Sequence, residues 1–315
     1  MLDAWRRHGV KVWFVVYDLL PARHPEWFPP ESGADFAAWL ETITAMDGAL
    51  CISESTANDL GAWCVANKIV RRRAYHTAVI PLMAELDGVG TAETADATVD
   101  GVIASMRGRV TFLMVGTIEP RKGHRQVLEA FAELLQEGLN VALVIVGKKG
   151  WMVDELVTRI KEMAKGNSHI AWLGAISDEA LERVYGSASC LIAASEGEGF
   201  GLPLIEAARH KLPVIARDIP VFREVARDRA FYFSGTGPQE LACAIKDWLS
   251  LYEAGDHPAS TGMPWYTARQ TADRMMDILT GKVSETAEMR PAEPAEAVKM
   301  AIDGFGACNT IRAEG

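Results

Sequence analysis

The chain has 315 residues, a length that suggests two domains because single domains commonly hold about 100–200 residues. Its 49% hydrophobic and 23% charged residues are ordinary for a globular protein and exclude a disordered or collagen-like chain. The net charge of −10 argues against nucleic acid as a partner, and no apolar run approaches the ~20 residues that span a bilayer. Five scattered cysteines without a C-x-x-C motif, and no secretory signal, predict free thiols in a cytoplasmic protein.

The first 86 residues predict part of an α/β domain. The predicted strands are 11–16, 48–52 and 75–80, and the predicted helices are 34–46 and 56–67. Ser53 or Ser55 is the expected N-cap of the second helix. These strands are too few for a full sheet, so we expect an incomplete domain. Residues 87–108 are small, polar and weakly patterned, which predicts a linker.

Residues 109–254 alternate short apolar runs with amphipathic segments, the pattern of a doubly wound parallel sheet. The predicted strands are 110–115, 141–146, 169–173, 190–194, 214–216 and 231–233. The predicted helices are 124–137, 153–164, 178–185, 203–209, 221–226 and 238–252. Beyond this domain we expect one or two helices within 255–280 and a mobile tail over 281–315, which is rich in Ala, Glu and Pro.

The loop after the first strand of the second domain reads GTIEPRKGH, from Gly116 to His124. Arg121 and Lys122 are adjacent cations at the mouth of a helix, at the sheet edge where open α/β folds bind ligands. Two cations beside free helix amides suit a diphosphate. A solvated loop with two surface cations fits the same residues equally well.

The loop after the fourth strand of this domain reads SEGEGFGLPLIEA, from Ser195 to Ala207. Its alternating glycines can expose backbone N–H groups at a helix N-terminus, which favours an anion site. Of its carboxylates, Glu198 or Glu206 can bind sugar hydroxyls while the other holds a ribose. The alternative is an acidic loop whose carboxylates merely favour the helix N-terminus. The glycine spacing differs from the dinucleotide-binding fingerprint.

Four motifs then carry a resemblance to a family: GTIEPRKG, LGAISDEAL, SEGEGFGLPLIEAA and LPVIARDIPVFREV. In this order they resemble the carboxyl-terminal half of the family-4 retaining glycosyltransferases, and the E-x₇-E motif of that family matches Glu198 and Glu206. The resemblance implies a GT-B fold, an α/β architecture of two Rossmann-like domains with parallel sheets that face a cleft. The first domain would be amino-terminally incomplete here, because nothing before residue 11 supplies the family's opening strand and glycine-rich loop.

The resemblance also implies a role for each matching residue. Arg121 and Lys122 would neutralise the leaving diphosphate, and Glu198 would meet the donor sugar; these three are the expected catalytic residues. The remaining donor-binding residues would be Gly116, Thr117, Ile176, Gly199, Phe200, Gly201, Leu202 and Glu206. Tyr17 and Asp18 match the stretch where relatives often carry a His-Asp pair, which implies an acceptor-side position. Such enzymes need no metal or other cofactor.

The function that the resemblance implies is retaining transfer of a hexose, with mannose favoured, from a nucleotide diphosphate sugar. GDP-mannose is the first choice of donor and a UDP-sugar the second. The acceptor would be a saccharide or a lipid-linked glycan in polysaccharide or lipopolysaccharide biosynthesis. The basic run 71–73 suits a solvated helix end, which we favour, or peripheral contact with the inner membrane face. The alternative is a truncated or degenerate protein that binds a nucleotide sugar without turnover.

Overall fold

The computed structural model of the chain describes residues 2–69, 74–83, 96–282 and 287–289, and it contains two β-sheets. The amino-terminal part comprises α1 (Leu2–Arg7), β1 (Trp13–Val16), α2 (Leu20–Arg23), α3 (Ser32–Thr44), β2 (Gly48–Cys51), α4 (Glu54–Ala66) and β3 (Tyr75–Val79). The rest comprises α5 (Asp96–Met106), β4 (Val110–Val115), α6 (His124–Gln136), β5 (Val141–Val146), α7 (Asp154–Ala164), β6 (Ile170–Leu173), α8 (Asp178–Ser187), β7 (Cys190–Ala193), α9 (Leu202–Arg209), β8 (Val214–Arg217), α10 (Pro220–Ala226), β9 (Phe231–Phe233), α11 (Pro238–Ala254), α12 (Ala268–Leu279) and β10 (Ala287–Met289).

The first sheet has the order β1-β2-β3-β10. The first three strands are parallel, and they lie within two residues of the predicted strands. Strand β10 pairs antiparallel with β3, so the prediction of a mobile tail is wrong for Ala287–Met289. The physical reason is that backbone pairing along an open strand edge needs no apolar pattern in the added strand. The rest of the predicted tail beyond residue 289 lies outside the described residues.

The second sheet has the order β6-β5-β4-β7-β8-β9, and all of its pairs are parallel. The chain therefore builds outward from β4 in one direction and then returns to build outward from β7 in the other. Ligands of doubly wound sheets bind at such a switch point, beyond the carboxyl ends of the strands. Both loops singled out in the sequence leave the sheet at this point, because one follows β4 and the other follows β7.

Helices cover both faces of the second sheet, which explains its continuous apolar strands. Along β4, Phe112 packs with Phe131 of α6 and Trp248 of α11 on one face. Leu113 points to the opposite face, in the cluster that contains residues of α8 and α9. All six residues of β5 are buried. The predicted α/β class with a doubly wound parallel sheet is confirmed for this part of the chain.

The prediction of a linker between the sheets needs correction. Within the predicted linker 87–108, residues Asp96–Met106 form helix α5, which packs on α8. Small polar residues surround the apolar residues of α5, so the composition does not reveal the helix. The apolar residues form one stripe along the helix: Val99, Val102, Ile103 and Met106. Within 255–280 the structure has one helix, α12, which agrees with the expected one or two helices. It begins only after Thr267 because Thr267 and Gln270 form a capping box. Residues 84–95 and the basic run 71–73 lie outside the described residues, and the domain boundaries stay a prediction.

Two observations bear on where the protein works. In the described part of the chain, no helix combines the length and the apolar character that a membrane crossing requires. Among the residues that the structure describes, four cysteines are free thiols, of which Cys243 is exposed and the other three are buried. Contact with a membrane surface stays a prediction.

Candidate active site

The loops that follow β4 and β7 contact each other directly at the switch point. The Glu196 amide donates to the Arg121 carbonyl at 2.8 Å, which joins the two loops by their backbones. Gly123 has a left-handed φ of +78°, and a β-carbon built on it would lie 2.3 Å from the Ala194 carbonyl oxygen. Only glycine permits this approach, so Gly123 sets how closely the two loops pack.

Arg121, Lys122 and Glu198, the three expected catalytic residues, converge at this contact. The Lys122 ammonium donates to Glu198 Oε1 at 2.5 Å, and Arg121 Nη1 donates to Glu198 Oε2 at 2.8 Å. The Ser195 hydroxyl also donates to Glu198 Oε1, at 2.7 Å. Arg121 Nη2 lies 3.1 Å from the carboxylate of Glu119, so the guanidinium bridges two acids. The side chains of Arg121, Lys122 and Glu198 are at most 15% exposed.

The charges of this cluster shift one another's titration. Burial raises the pKa of Glu198, but the charges of Lys122 and Arg121 outweigh it, and the net pKa lies below the ordinary value. Burial alone dominates at Glu119 and raises its pKa. Glu198 is therefore a carboxylate at neutral pH, and it compensates both cations inside a poorly solvated site.

The amino-terminal part of the chain brings the two expected acceptor-side residues, Tyr17 and Asp18, close to this cluster. Asp18 is held by a hydrogen bond from the Leu20 amide to Oδ1 at 3.0 Å, and burial raises its pKa. A β-carbon built on Gly199, the residue after Glu198, would lie 3.2 Å from the Asp18 β-carbon, so Asp18 lies beside the cluster. Arg121, Lys122 and Glu198 accordingly influence the pKa of Asp18. The Tyr17 side chain is 60% exposed, while its backbone lies against Gly199.

The Gly199–Leu202 segment is fixed by the first domain. Ser53, the N-cap of α4, donates its hydroxyl to the Gly199 carbonyl at 2.7 Å. A β-carbon on Gly199 would lie 2.1 Å from the Tyr17 carbonyl oxygen. Phe200 is 9% exposed, Gly201 has a φ of +101°, and Leu202 opens helix α9. Gly199 therefore permits close backbone approach, and Gly201 permits a left-handed backbone conformation.

Glu206, the second acid of the E-x₇-E motif, lies in different surroundings. It is on α9, and its Oε2 accepts a hydrogen bond from the Tyr185 hydroxyl of α8 at 2.6 Å. Burial raises the pKa of Glu206, and the Tyr185 hydrogen bond opposes this effect. The two acids of the motif thus have no polar partner in common among their described contacts.

The other expected donor-binding residues lie at the same sheet edge. Gly116 follows β4, and the position of its missing β-carbon is 3.9 Å from the Lys122 ammonium. Thr117 is half-buried next to it, with its methyl group near Gly150. Ile176 follows β6 and packs, half-buried, on the core. The structure therefore gathers these residues along the carboxyl ends of β4 and β6, without direct polar contact to Glu198.

Several residues that contact the site residues or their backbone have no role that the sequence predicts. Ser195 and Glu119 lie in the two loops, but their residue types alone do not predict that they contact Glu198 and Arg121. Arg217 is only 5% exposed at the end of β8, and its guanidinium donates to the Ala194 carbonyl. A charged residue that ends the apolar run PVIA was a sequence signal for it, because arginine is rarely buried without partners.

The residue types of the site also bear on metal binding. In the described residues there is no group of three or more His, Cys, Asp or Glu side chains arranged to hold a metal ion. The expectation that the reaction needs no metal or other cofactor stays a prediction.

Known mannosyltransferases are similar to this chain in sequence. It is 44% identical to serotype-specific mannosyltransferase WbdA of Escherichia coli, over 88% of this chain and 34% of that protein. It is 33% identical to O-antigen chain mannosyltransferase B of Escherichia coli, over 37% of this chain and 30% of that protein. The chain thus spans about a third of the length of these curated relatives.

Solved structures with the same fold are more distant in sequence. HepE of Anabaena, crystallised with UDP-glucose, is 14% identical, with a TM-score of 0.67 over 89% of this chain and 75% of that chain. At this identity the likeness shows the fold alone, and it confirms the predicted GT-B fold class. The family model described as glycosyl transferases group 1 matches residues 101–262, which include the whole second sheet and both loops of the site. The chain belongs to the group 1 glycosyl transferase family.

Proposed function

We propose that the chain is a retaining glycosyltransferase that transfers mannose from GDP-mannose to a saccharide or lipid-linked acceptor during polysaccharide or lipopolysaccharide assembly. The observation that carries the proposal is the convergence of Arg121 and Lys122 on Glu198 at the β4–β7 switch point. The names of the relatives support mannose as the sugar. The titles of the HepE complexes, with UDP and UDP-glucose, support a nucleotide sugar as the kind of donor.

The two cations would act on the leaving group. As the bond between the sugar and the phosphate breaks, negative charge grows on the diphosphate. Arg121 and Lys122, fixed in a poorly solvated site, stabilise that charge more in the transition state than in the ground state. The amides of Gly199–Leu202 at the start of α9 add further donors for the same charge. No metal is needed in this scheme.

The carboxylates would orient the rest of the donor. Glu198 exchanges its ion pairs for hydroxyls of the mannose, and the phosphates take its place on the cations. Glu206, positioned by Tyr185, binds the ribose. Ile176 lies against the base, and Gly116 with Thr117 lies beside the phosphates.

The acceptor would enter from the side of Tyr17 and Asp18. Its hydroxyl oxygen forms the new bond to the anomeric carbon on the face that the diphosphate leaves, which retains the configuration. The hydroxyl proton passes to the departing phosphate. A lipid-linked acceptor would place the protein at the inner membrane face.

The proposal is tested by incubating the chain with GDP-mannose and a mannose-terminated oligosaccharide. Mass spectrometry should show one added hexose per turnover, and proton NMR should show an α-linkage, as in the donor. UDP-glucose serves as the donor control and should give no product. GDP binding without transfer would support the alternative, a nucleotide-sugar-binding protein without turnover. A folded chain that binds neither GDP nor UDP would overturn both functions.

A further inference from the structure

Arg217 is a buried cation whose hydrogen-bond partners are all neutral. Its Nε and Nη2 donate to the Ala194 carbonyl at 3.0 and 2.9 Å. The same guanidinium donates to the carbonyl of Gly235 and to the side-chain oxygen of Gln126. Burial lowers the pKa of Arg217, although Glu196 opposes this effect. Burying a guanidinium is costly, and these hydrogen bonds offset part of that cost while they connect Arg217 to Ala194, Gly235 and Gln126.

The groups that Arg217 holds are the supports of the candidate site. The Ala194 carbonyl is the atom against which Gly123 packs, directly after Lys122. Ala194 also precedes Ser195, whose hydroxyl binds Glu198. Gln126 lies in the first turn of α6, and it donates in turn to the Gly237 carbonyl at 2.6 Å. One side chain thus joins the end of β7, the start of α6 and the 235–237 loop.

We propose that Arg217 is a positioning residue, which fixes the Ala194 carbonyl and thereby the separation of Lys122 from Glu198. It touches neither of the two ionic groups, so it acts through the backbone. The inference rests on the proposed function, because that separation matters only if the two groups bind one donor. A misplacement of about 1 Å in such a pair can lower a rate by roughly a hundredfold.

The experiment compares two substitutions of Arg217 in the full chain. Arg217→Lys keeps the charge but cannot make both hydrogen bonds to the Ala194 carbonyl, and Arg217→Met keeps an unbranched side chain, shorter than arginine, without the charge. Each is measured for kcat and KM with GDP-mannose, for GDP affinity by calorimetry and for its melting temperature. Arg125→Met, on the exposed side of α6, is the matched control. We expect kcat/KM to fall by roughly 10–100-fold for Arg217→Lys and to stay unchanged for the control.

A double-mutant cycle separates positioning from general stabilisation. In a Lys122→Ala background, one of the two groups that Arg217 would align is already missing. We therefore expect Arg217→Lys to lower kcat/KM by less than about threefold in the Lys122→Ala background, which would be a clear departure from additivity. Equal losses in both backgrounds would overturn the proposal, since they would indicate a structural role independent of Lys122. Folded variants of Arg217 with full activity would overturn it as well.

The failure of this inference can be told from the failure of the proposed function. If the wild-type chain binds GDP without transfer, GDP affinity is measured for the same four proteins of the cycle. Additive losses of GDP affinity would then overturn the positioning role of Arg217 and leave nucleotide binding intact. If the wild-type chain binds no nucleoside diphosphate, the proposed function and this inference fail together. If Arg217→Met does not fold, the milder Arg217→Lys decides the outcome.

Discussion

At the scale of single residues, Glu198 neutralises the two cations that the proposed mechanism assigns to the donor diphosphate. Replacing it by glutamine removes one charge without changing the side-chain size. We predict that Glu198→Gln binds GDP roughly tenfold more tightly, because Lys122 and Arg121 lose their competing carboxylate. The same variant should transfer mannose at least roughly a hundredfold more slowly, because glutamine replaces one of the two acceptor oxygens by an NH₂ donor and removes the negative charge that strengthens hydrogen bonds from the sugar hydroxyls.

Calorimetry with GDP measures the binding half of this prediction. Glu196→Gln is the matched control, because Glu196 is an exposed neighbour and its replacement changes the net charge by the same amount. GDP affinity that is unchanged or weaker in Glu198→Gln would contradict the assignment of the two cations to the diphosphate.

His124 offers a second test at this scale, through the pH dependence of stability. The side chain is 1% exposed, and burial lowers its pKa to about 3, from 6.5. Below about pH 6.5 the unfolded chain binds a proton at this residue that the folded chain does not. Stability should therefore fall as the pH falls, by up to about 1.4 kcal/mol per pH unit from this group.

The measurement is urea unfolding of the wild type and of His124→Phe from about pH 7 to about pH 4. We predict that the wild type loses stability relative to the variant over this interval, because phenylalanine does not titrate. Parallel pH curves for the two proteins would show that His124 titrates normally.

The residues of the site were only partly predictable from the sequence. Arg121, Lys122 and Glu198 stand in loops that follow apolar strands, so chain order alone placed them at one sheet edge. Arg217 and Ser195 act through hydrogen bonds to groups distant in the chain, and periodicity carries no information on such partners. Glu206 was expected beside the same donor, but its hydrogen bond to Tyr185 depends on how α8 packs against α9.

At the scale of elements, the contact between the loop after β1 and the loop after β7 depends on glycine. We predict that Gly199→Ala destabilises the protein by about 1–3 kcal/mol, because the added methyl group would overlap the Tyr17 carbonyl. Gly186→Ala, in helix α8, is the control: its added methyl group meets no atom within 4 Å. The control should stabilise the protein by about 0.4–1 kcal/mol. Melting temperatures measure both effects. Equal shifts in melting temperature for the two variants would show that the loop after β7 does not depend on the close approach of Gly199 to Tyr17.

The elements themselves were predictable to different degrees. The strands of the second sheet are continuous apolar runs bounded by glycines or polar residues, and the structure places them within two residues of the prediction. Helix α5 has a stripe of only four apolar residues among small polar ones, so composition concealed it. Strand β10 is set by pairing with β3, a tertiary effect that local sequence does not encode.

At the scale of the whole molecule, side chains and backbone join the two sheets around the candidate site. The Glu224 carboxylate of α10 accepts hydrogen bonds from the amides of Glu54 and Ser55 at 2.8 and 2.9 Å. These amides are free donors at the N-terminus of α4, where a carboxylate is favourable. The indole N–H of Trp151 donates a hydrogen bond to the Trp27 carbonyl at 2.8 Å. These directional contacts therefore hold the amino-terminal part of the chain against the part that contains the second sheet.

The central claim is that this chain holds a nucleoside diphosphate on the cations beyond β4. The most direct test is the affinity of GDP for the wild type, for Lys122→Ala and for the surface control Lys165→Ala. We predict wild-type binding on the order of micromolar, weakened at least roughly tenfold by Lys122→Ala and unchanged by Lys165→Ala. Equal GDP affinities for Lys122→Ala and the wild type would contradict the claim.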